Sequence, residues 1–132
     1  MVYKGISREK AAEVLETGAK KVKDDDLEKV IEHAEKIEEK FKAHGPLGRF
    51  IKDVRLLISL IRDYFNGSYR EIPWWTIAAI VTALLYVLNP VDLIPDFIPG
   101  IGLVDDALVV SVCLLAIEQD LEKYKEWKTK NS

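Results

Sequence analysis

Apolar residues recur along most of the chain at steps of three and four, without the alternation a half-buried strand requires, so the pattern predicts helices throughout. A first helix runs from a cap at Ser7 to about Val22, with Ala11, Val14, Leu15 and Ala19 on one face and Gly18 weakening it. Asp24, Asp25 and Asp26 open a second, because acids favour the positive end of the helix dipole. Its Leu27, Val30, Ala34, Ile37 and Phe41 form a narrow seam like the a and d positions of a coiled coil, over too few heptads to define one. Such a seam suits docking on the chain's own domain or on a partner helix. His44, Gly45 and Pro46 end it, and a third helix from Leu47 to about Phe65 carries a wide stripe of Leu47, Phe50, Ile51, Val54, Leu57, Ile58, Ile61 and Phe65. The outer face of that helix bears Arg49, Lys52, Arg55 and Arg62, and Asn66-Gly67 supplies a left-handed stop.

Beyond the linker at residues 68–72 the pattern changes character. Pro73 opens a fourth helix reaching about Leu88, where Asn89 and Pro90 end it. A fifth begins at Asp105 and Asp106, is apolar all round from Ala107 to Ile117, and is one-sided through Leu121 and Tyr124 before a charged tail. A membrane span needs about 20 apolar residues, whereas the prolines confine the fourth helix to about sixteen or seventeen and the fifth offers about eleven before Glu118. Yet no Lys or Arg occurs between Arg70 and Lys123, and Lys123, Lys125, Lys128 and Lys130 follow. Cations on both flanks with acids in the connection are what the positive-inside rule would give a hairpin, with Trp74 and Trp75 at the interface. Two placements therefore stay open: a central hydrophobic hairpin inside a soluble bundle, and a hairpin in or on a membrane.

Composition narrows the class further. With 132 residues, 48% hydrophobic and 31% charged, the chain is expected to fold as a single-domain all-α bundle of about five helices. Residues 1–44 read as an accessory helical pair and 45–132 as the core. The single cysteine, Cys113, fits a reducing compartment, and the opening MVYKGISREK lacks the apolar centre of a secretory signal. A cytoplasmic protein is expected, with any membrane association on the cytoplasmic side. The net charge of −3, and cations without interleaved aromatics, argue against nucleic acid. Arg49, Lys52, Arg55 and Arg62 instead suit an anionic membrane surface or an acidic protein partner. Oligomeric state is not legible.

The candidate chemistry lies in LNPVDLIPDFIPGIGLVDD, residues 88–106, where three prolines and four aspartates are set among large aliphatic side chains. Asp92, Asp96, Asp105 and Asp106 admit three readings. They cap short helices and turns begun by the prolines; or they pair with the basic third helix; or, with Asn89, they supply hard oxygen ligands for Mg²⁺ or Ca²⁺. The spacing is not that of an EF-hand. A metal site would imply hydrolytic or phosphoryl-transfer chemistry; otherwise no cofactor is expected. Other motifs are weak: His33 and His44 form no zinc signature, Gly100-Ile101-Gly102 follows no strand, and Cys113 and Ser111 have no base nearby in sequence.

The same stretch resembles the signature of the YkvA-like family, a small, mainly bacterial domain of unknown function carrying P-x-D-L-I-P-D-x-I-P-x-x-G-x-x-D-D. The match falls on Pro90, Asp92, Leu93, Ile94, Pro95, Asp96, Ile98, Pro99, Gly102, Asp105 and Asp106. Asn89 stands where the family often has Ser; both can hydrogen-bond locally at a helix end. The resemblance extends from about residue 50 to Leu121 and implies a helical domain, often described as membrane-associated, with no accepted activity. Taken together, the expectation is a non-catalytic interaction or membrane-associated helical module. The alternative is a divalent-cation-dependent enzyme using the four aspartates.

Overall fold

The structure, a computed structural model, describes residues 2–43, 45–88 and 106–131. Its elements are α1 (Val2–Lys21), α2 (Asp24–Glu32), α3 (Ala34–Ala43), a 3-10 turn (Gly45–Phe50), α4 (Ile51–Phe65), α5 (Trp74–Leu88), α6 (Asp106–Ala116) and α7 (Glu118–Asn131). The fold is an all-α bundle, with no strand among the described residues.

Two of the expected helices are divided, which raises the count among the described residues to seven. In both cases the backbone ladder runs through the division. The His33 N–H donates to the Lys29 carbonyl at 3.0 Å and the His33 carbonyl accepts from Ile37 at 2.9 Å. Ile117 donates to Cys113 at 3.0 Å and accepts from Leu121 at 2.9 Å. Each pair is thus one rod with a bend. At His33 the cause is local: ring Nδ1 lies 2.9 Å from the Lys29 carbonyl, which can only accept, so ring and backbone N–H share one oxygen there. α1 begins at Val2, so Ser7 lies inside the helix instead of capping it. The positive φ of Gly67, +86°, is the left-handed stop expected after α4.

α5 is the centre. From Thr76 to Val87 every side chain except Leu85 is buried, and α1, α2, α3, α4 and α6 all pack on it. A helix with no polar face must be covered on all sides, and here the chain's own helices do the covering. The narrow seam of the second expected helix is wholly interior: Leu27, Val30, Ala34, Ile37 and Phe41 are all buried, so the seam docks on its own domain. On α4 the buried arc is turned relative to the expected stripe. Leu60 is fully buried, while Phe65 is 42% exposed at the helix end. α4 is covered by α2, α3 and α5 at once, which widens its apolar arc beyond a single stripe. Residues of α1, α2 and α3 belong to the same core cluster as those of α4 to α7.

Gly18 marks the closest approach of α1 to α5. A Cβ placed there would overlap Thr82 Cγ2 and lie 2.9 Å from its Oγ1. Thr82 cannot easily turn away, because it is β-branched and its hydroxyl donates to the Ala78 carbonyl at 2.8 Å. Gly18→Ala should therefore destabilise the fold by about 1–3 kcal/mol in urea titration, although alanine is the better helix former. Adding Thr82→Ala should recover part of the loss. A stabilised Gly18→Ala protein would show that the two helices have room to separate.

Candidate functional site

The sequence motif begins where α5 is last described. Asn89, Pro90, Asp92, Pro95, Asp96, Pro99, Gly102 and Asp105 lie outside the described residues, as does His44. Asp106 is described: it is half-buried in the first turn of α6, where a carboxylate meets the positive end of the helix. Among the described residues no three His, Cys, Asp or Glu side chains gather into a metal-binding group.

One cation meets the chain at the entrance to the motif, and it belongs to α3. Lys40 Nζ donates to the Leu88 carbonyl at 2.7 Å and lies 3.4 Å from that of Val87. Carbonyls at a helix C-terminal end lack intrahelical partners and carry the negative end of the dipole, so a half-buried ammonium is well placed there. For the aspartates of the motif the sequence pointed to the basic face of the third expected helix, and Asp92, Asp96 and Asp105 lie outside the described residues. On that face Arg55 Nε pairs with Glu38 Oε1 of α3 at 3.0 Å, and the Arg49 guanidinium lies 4.7 Å from the Phe50 ring centroid. Lys52 and Arg62 are exposed. The face expected to meet an anionic partner is therefore partly engaged within the protein.

A second polar cluster, absent from the sequence expectations, ties α7 to α4. Tyr124 lies 2.6 Å from both Asp63 Oδ2 and Ser59 Oγ, and Lys128 Nζ lies 3.1 Å from the same Asp63 oxygen. A phenol has one proton and a carboxylate only accepts, so Tyr124 donates to Asp63 and accepts from Ser59. Burial and the hydrogen bond to Asp63 push the Tyr124 hydroxyl well above its ordinary range. Tyr69 comes up from the linker to pack edge-on to Tyr124 at 5.2 Å and against Trp127 at 5.0 Å. Its burial, with Glu71 and Asp120 nearby, raises its hydroxyl in the same direction. The signal for this cluster was present as Tyr124 and Trp127 at the i,i+3 spacing, but Tyr69 in a polar linker gave none. At the other polar entry to the core, Thr76 of α5 donates to Asp120 of α7 at 2.6 Å.

These contacts join helices, and Tyr69 and Trp127 also border an open surface depression with Glu71, Lys123, Glu126 and Lys130. Cys113, buried in α6 with Sγ 3.7 Å from the Ala79 carbonyl, has its thiol pushed up to about 12 by burial, so it is a small core side chain, as expected. Ser111 and Leu115 line a shallow groove with Phe50, Asp53, Glu118, Glu122 and Lys125.

Architecture and motif together define a small helical bundle built round one wrapped apolar helix, with the aspartate- and proline-rich connection at the end of that helix. Comparison with known proteins places the motif in the same frame. Residues 76–112, which hold most of α5, the connection and the first part of α6, match a family described as "Protein of unknown function (DUF1232)". The chain is 33% identical over 78 residues to the "Uncharacterized membrane protein YkvA" of Bacillus subtilis (strain 168), covering 59% of this chain and 74% of that protein. The chain belongs to the YkvA-like family. No solved structure matches it.

Two measurements test the contacts above. Lys40→Met keeps the aliphatic stem and removes the ammonium, and should cost about 1–2 kcal/mol in chemical denaturation. A loss below about 0.5 kcal/mol would show that the carbonyls find other partners. The raised groups Cys113 and Tyr124, whose ordinary values are 9.0 and 10.0, bind protons more tightly folded than unfolded. Their stabilising contribution is complete below those ordinary values and is lost as pH rises through and above them. The urea midpoint should thus be level through neutral pH and fall from about pH 9. Cys113→Ala should delay the onset of that fall, and Tyr124→Phe should flatten its upper part.

Proposed function

We propose that the protein is a non-catalytic helical module that associates with the cytoplasmic face of a membrane through its surface. The observation that carries this reading is the wrapping of α5. The most span-like helix of the chain is 15 residues long as described, about 22 Å at 1.5 Å per residue, against a hydrocarbon core of about 30 Å. Five other helices pack on it, and four of them, α1 to α4, carry charged outer faces. Lipid could reach α5 only by stripping those helices away, which would carry their charges and the α1–α5 contact at Gly18 out of register. No described helix is long and apolar enough to cross a membrane. The Bacillus subtilis relative bears the name of a membrane protein, which favours association over a role confined to solution.

Cell fractionation tests the proposal. The native protein should sediment with membranes in the absence of detergent and be released by high salt or alkaline carbonate. Recovery wholly in the soluble fraction would overturn membrane association, and release by detergent alone would overturn association through the surface.

A further inference from the structure

Four large apolar side chains stand out among the described residues: Phe65 at 42% exposure, Trp74 at 39%, Trp75 at 46% and Leu115 at 61%. Phe65 and Trp74 line one depression, and Trp75 follows Trp74 in the first turn of α5. Phe65 ends α4 and Trp74 and Trp75 begin α5, with the connection folded back so that the Tyr64 and Trp74 rings are 6.1 Å apart. Tyr64, Phe65, Trp74 and Leu27 line a depression of about 190 Å³ together with Arg70 and Asp24. Tryptophan is normally highly buried, and adjacent exposed tryptophans at the mouth of an otherwise buried helix call for a second environment.

The charges round the corner complement lipid phosphate. The Arg70 guanidinium is held over the Tyr64 ring at 4.6 Å and donates to the Tyr64 carbonyl at 2.7 Å, which fixes it at the rim. Arg62 is exposed one turn before Phe65. Of the nearby acids, Asp63 is paired with Lys128, and Glu71 faces away, lining a different depression with Lys123 and Lys130. Asp24 does line the depression, but it sits in the first turn of α2, where the helix dipole offsets its charge. Aromatic rings with a polar N–H or hydroxyl, flanked by arginines, match the headgroup layer of a bilayer, apolar on one side and phosphate-rich on the other.

The geometry points to this corner, Phe65, Trp74 and Trp75 with Arg62 and Arg70 at its edge, as the membrane-contacting surface: the rings enter the headgroup–acyl boundary and the arginines meet lipid phosphates. The inference rests on the reading that the protein associates with membranes through its surface, and names where.

Flotation of the intact chain with vesicles of phosphatidylcholine mixed with phosphatidylglycerol, followed by tryptophan emission, tests it. The native protein should float with a blue-shifted emission, more strongly with the anionic lipid and less in high salt. Trp74→Ala with Trp75→Ala, and separately Phe65→Glu, should each weaken binding by about tenfold or more. Thermal melts by circular dichroism check that these exposed substitutions leave the fold intact. Leu115→Ala should bind as the native protein does. Native binding that the corner variants retain, or that Leu115→Ala abolishes, would overturn the corner and leave surface association standing. A native protein that ignores every vesicle would overturn surface association itself.

Discussion

The bundle depends on covering a helix that has no outside. α5 carries no charge from Trp74 to Leu88, and Thr76, Thr82 and Tyr86 bring polar side-chain atoms into its buried surface. Thr82 donates to a carbonyl one turn back in its own helix and Thr76 to Asp120 across the bundle. No buried side-chain nitrogen or oxygen among the described residues lacks a partner. With polar atoms satisfied, the remaining requirement is geometric: the covering helices must come close enough to leave no void. Gly18 serves that requirement on α1, where a methyl group would stand in the space Thr82 occupies.

The outer helices are then positioned by polar and aromatic contacts at specific points along a greasy interface that would otherwise tolerate sliding. Asp63 does this on α4, receiving the Tyr124 hydroxyl and the Lys128 ammonium from two successive turns of α7. Because Tyr124 also accepts from Ser59, the register of α7 on α4 is fixed by a chain of groups with one consistent direction of donation. Such half-buried networks fix an arrangement more reliably than they add stability. Lys40 has the corresponding role at the other end of α5, where α3 is held to the carbonyls that precede the motif.

The rods among the described residues, and most of their buried faces, were legible because apolar spacing is a direct record of helix packing. The seam from Leu27 to Phe41 appears in the structure as the residues implied, and so does the charge-free fourth helix as α5, whereas α6, apolar all round in sequence, leaves Leu115 61% exposed. The divisions at His33 and Ile117 were not legible, since the apolar spacing runs unbroken through both. Nor were the clamps. Tyr69 lies in a stretch whose neighbours Asn66, Gly67, Ser68 and Arg70 read as linker, yet it is buried because the chain turns back there onto α7. Gly18 was read as a weak point within α1, and its reason appears only once Thr82 is beside it. The motif itself was recognised from its prolines and aspartates, and Asp106 is the one of the four aspartates that falls within the described residues.

The long interval without Lys or Arg has a physical meaning that the sequence states ambiguously. A helix wrapped by protein and a helix wrapped by lipid both exclude charge, because either surrounding penalises an uncompensated ion. Composition therefore cannot separate them; the identity of the neighbours can. Around α5 the neighbours are helices with charged outer faces, so its lack of cations records burial in protein. The tryptophans at its mouth are a different matter, because they lie at the edge of that wrapping and are 39% and 46% exposed. A core helix that begins with two partly exposed tryptophans, the first sharing a depression with a partly exposed phenylalanine and an arginine, has its interior requirement met and an apolar edge left over. On the reading proposed above, that apolar edge, more than the uncharged rod behind it, is the part of the chain that meets a membrane.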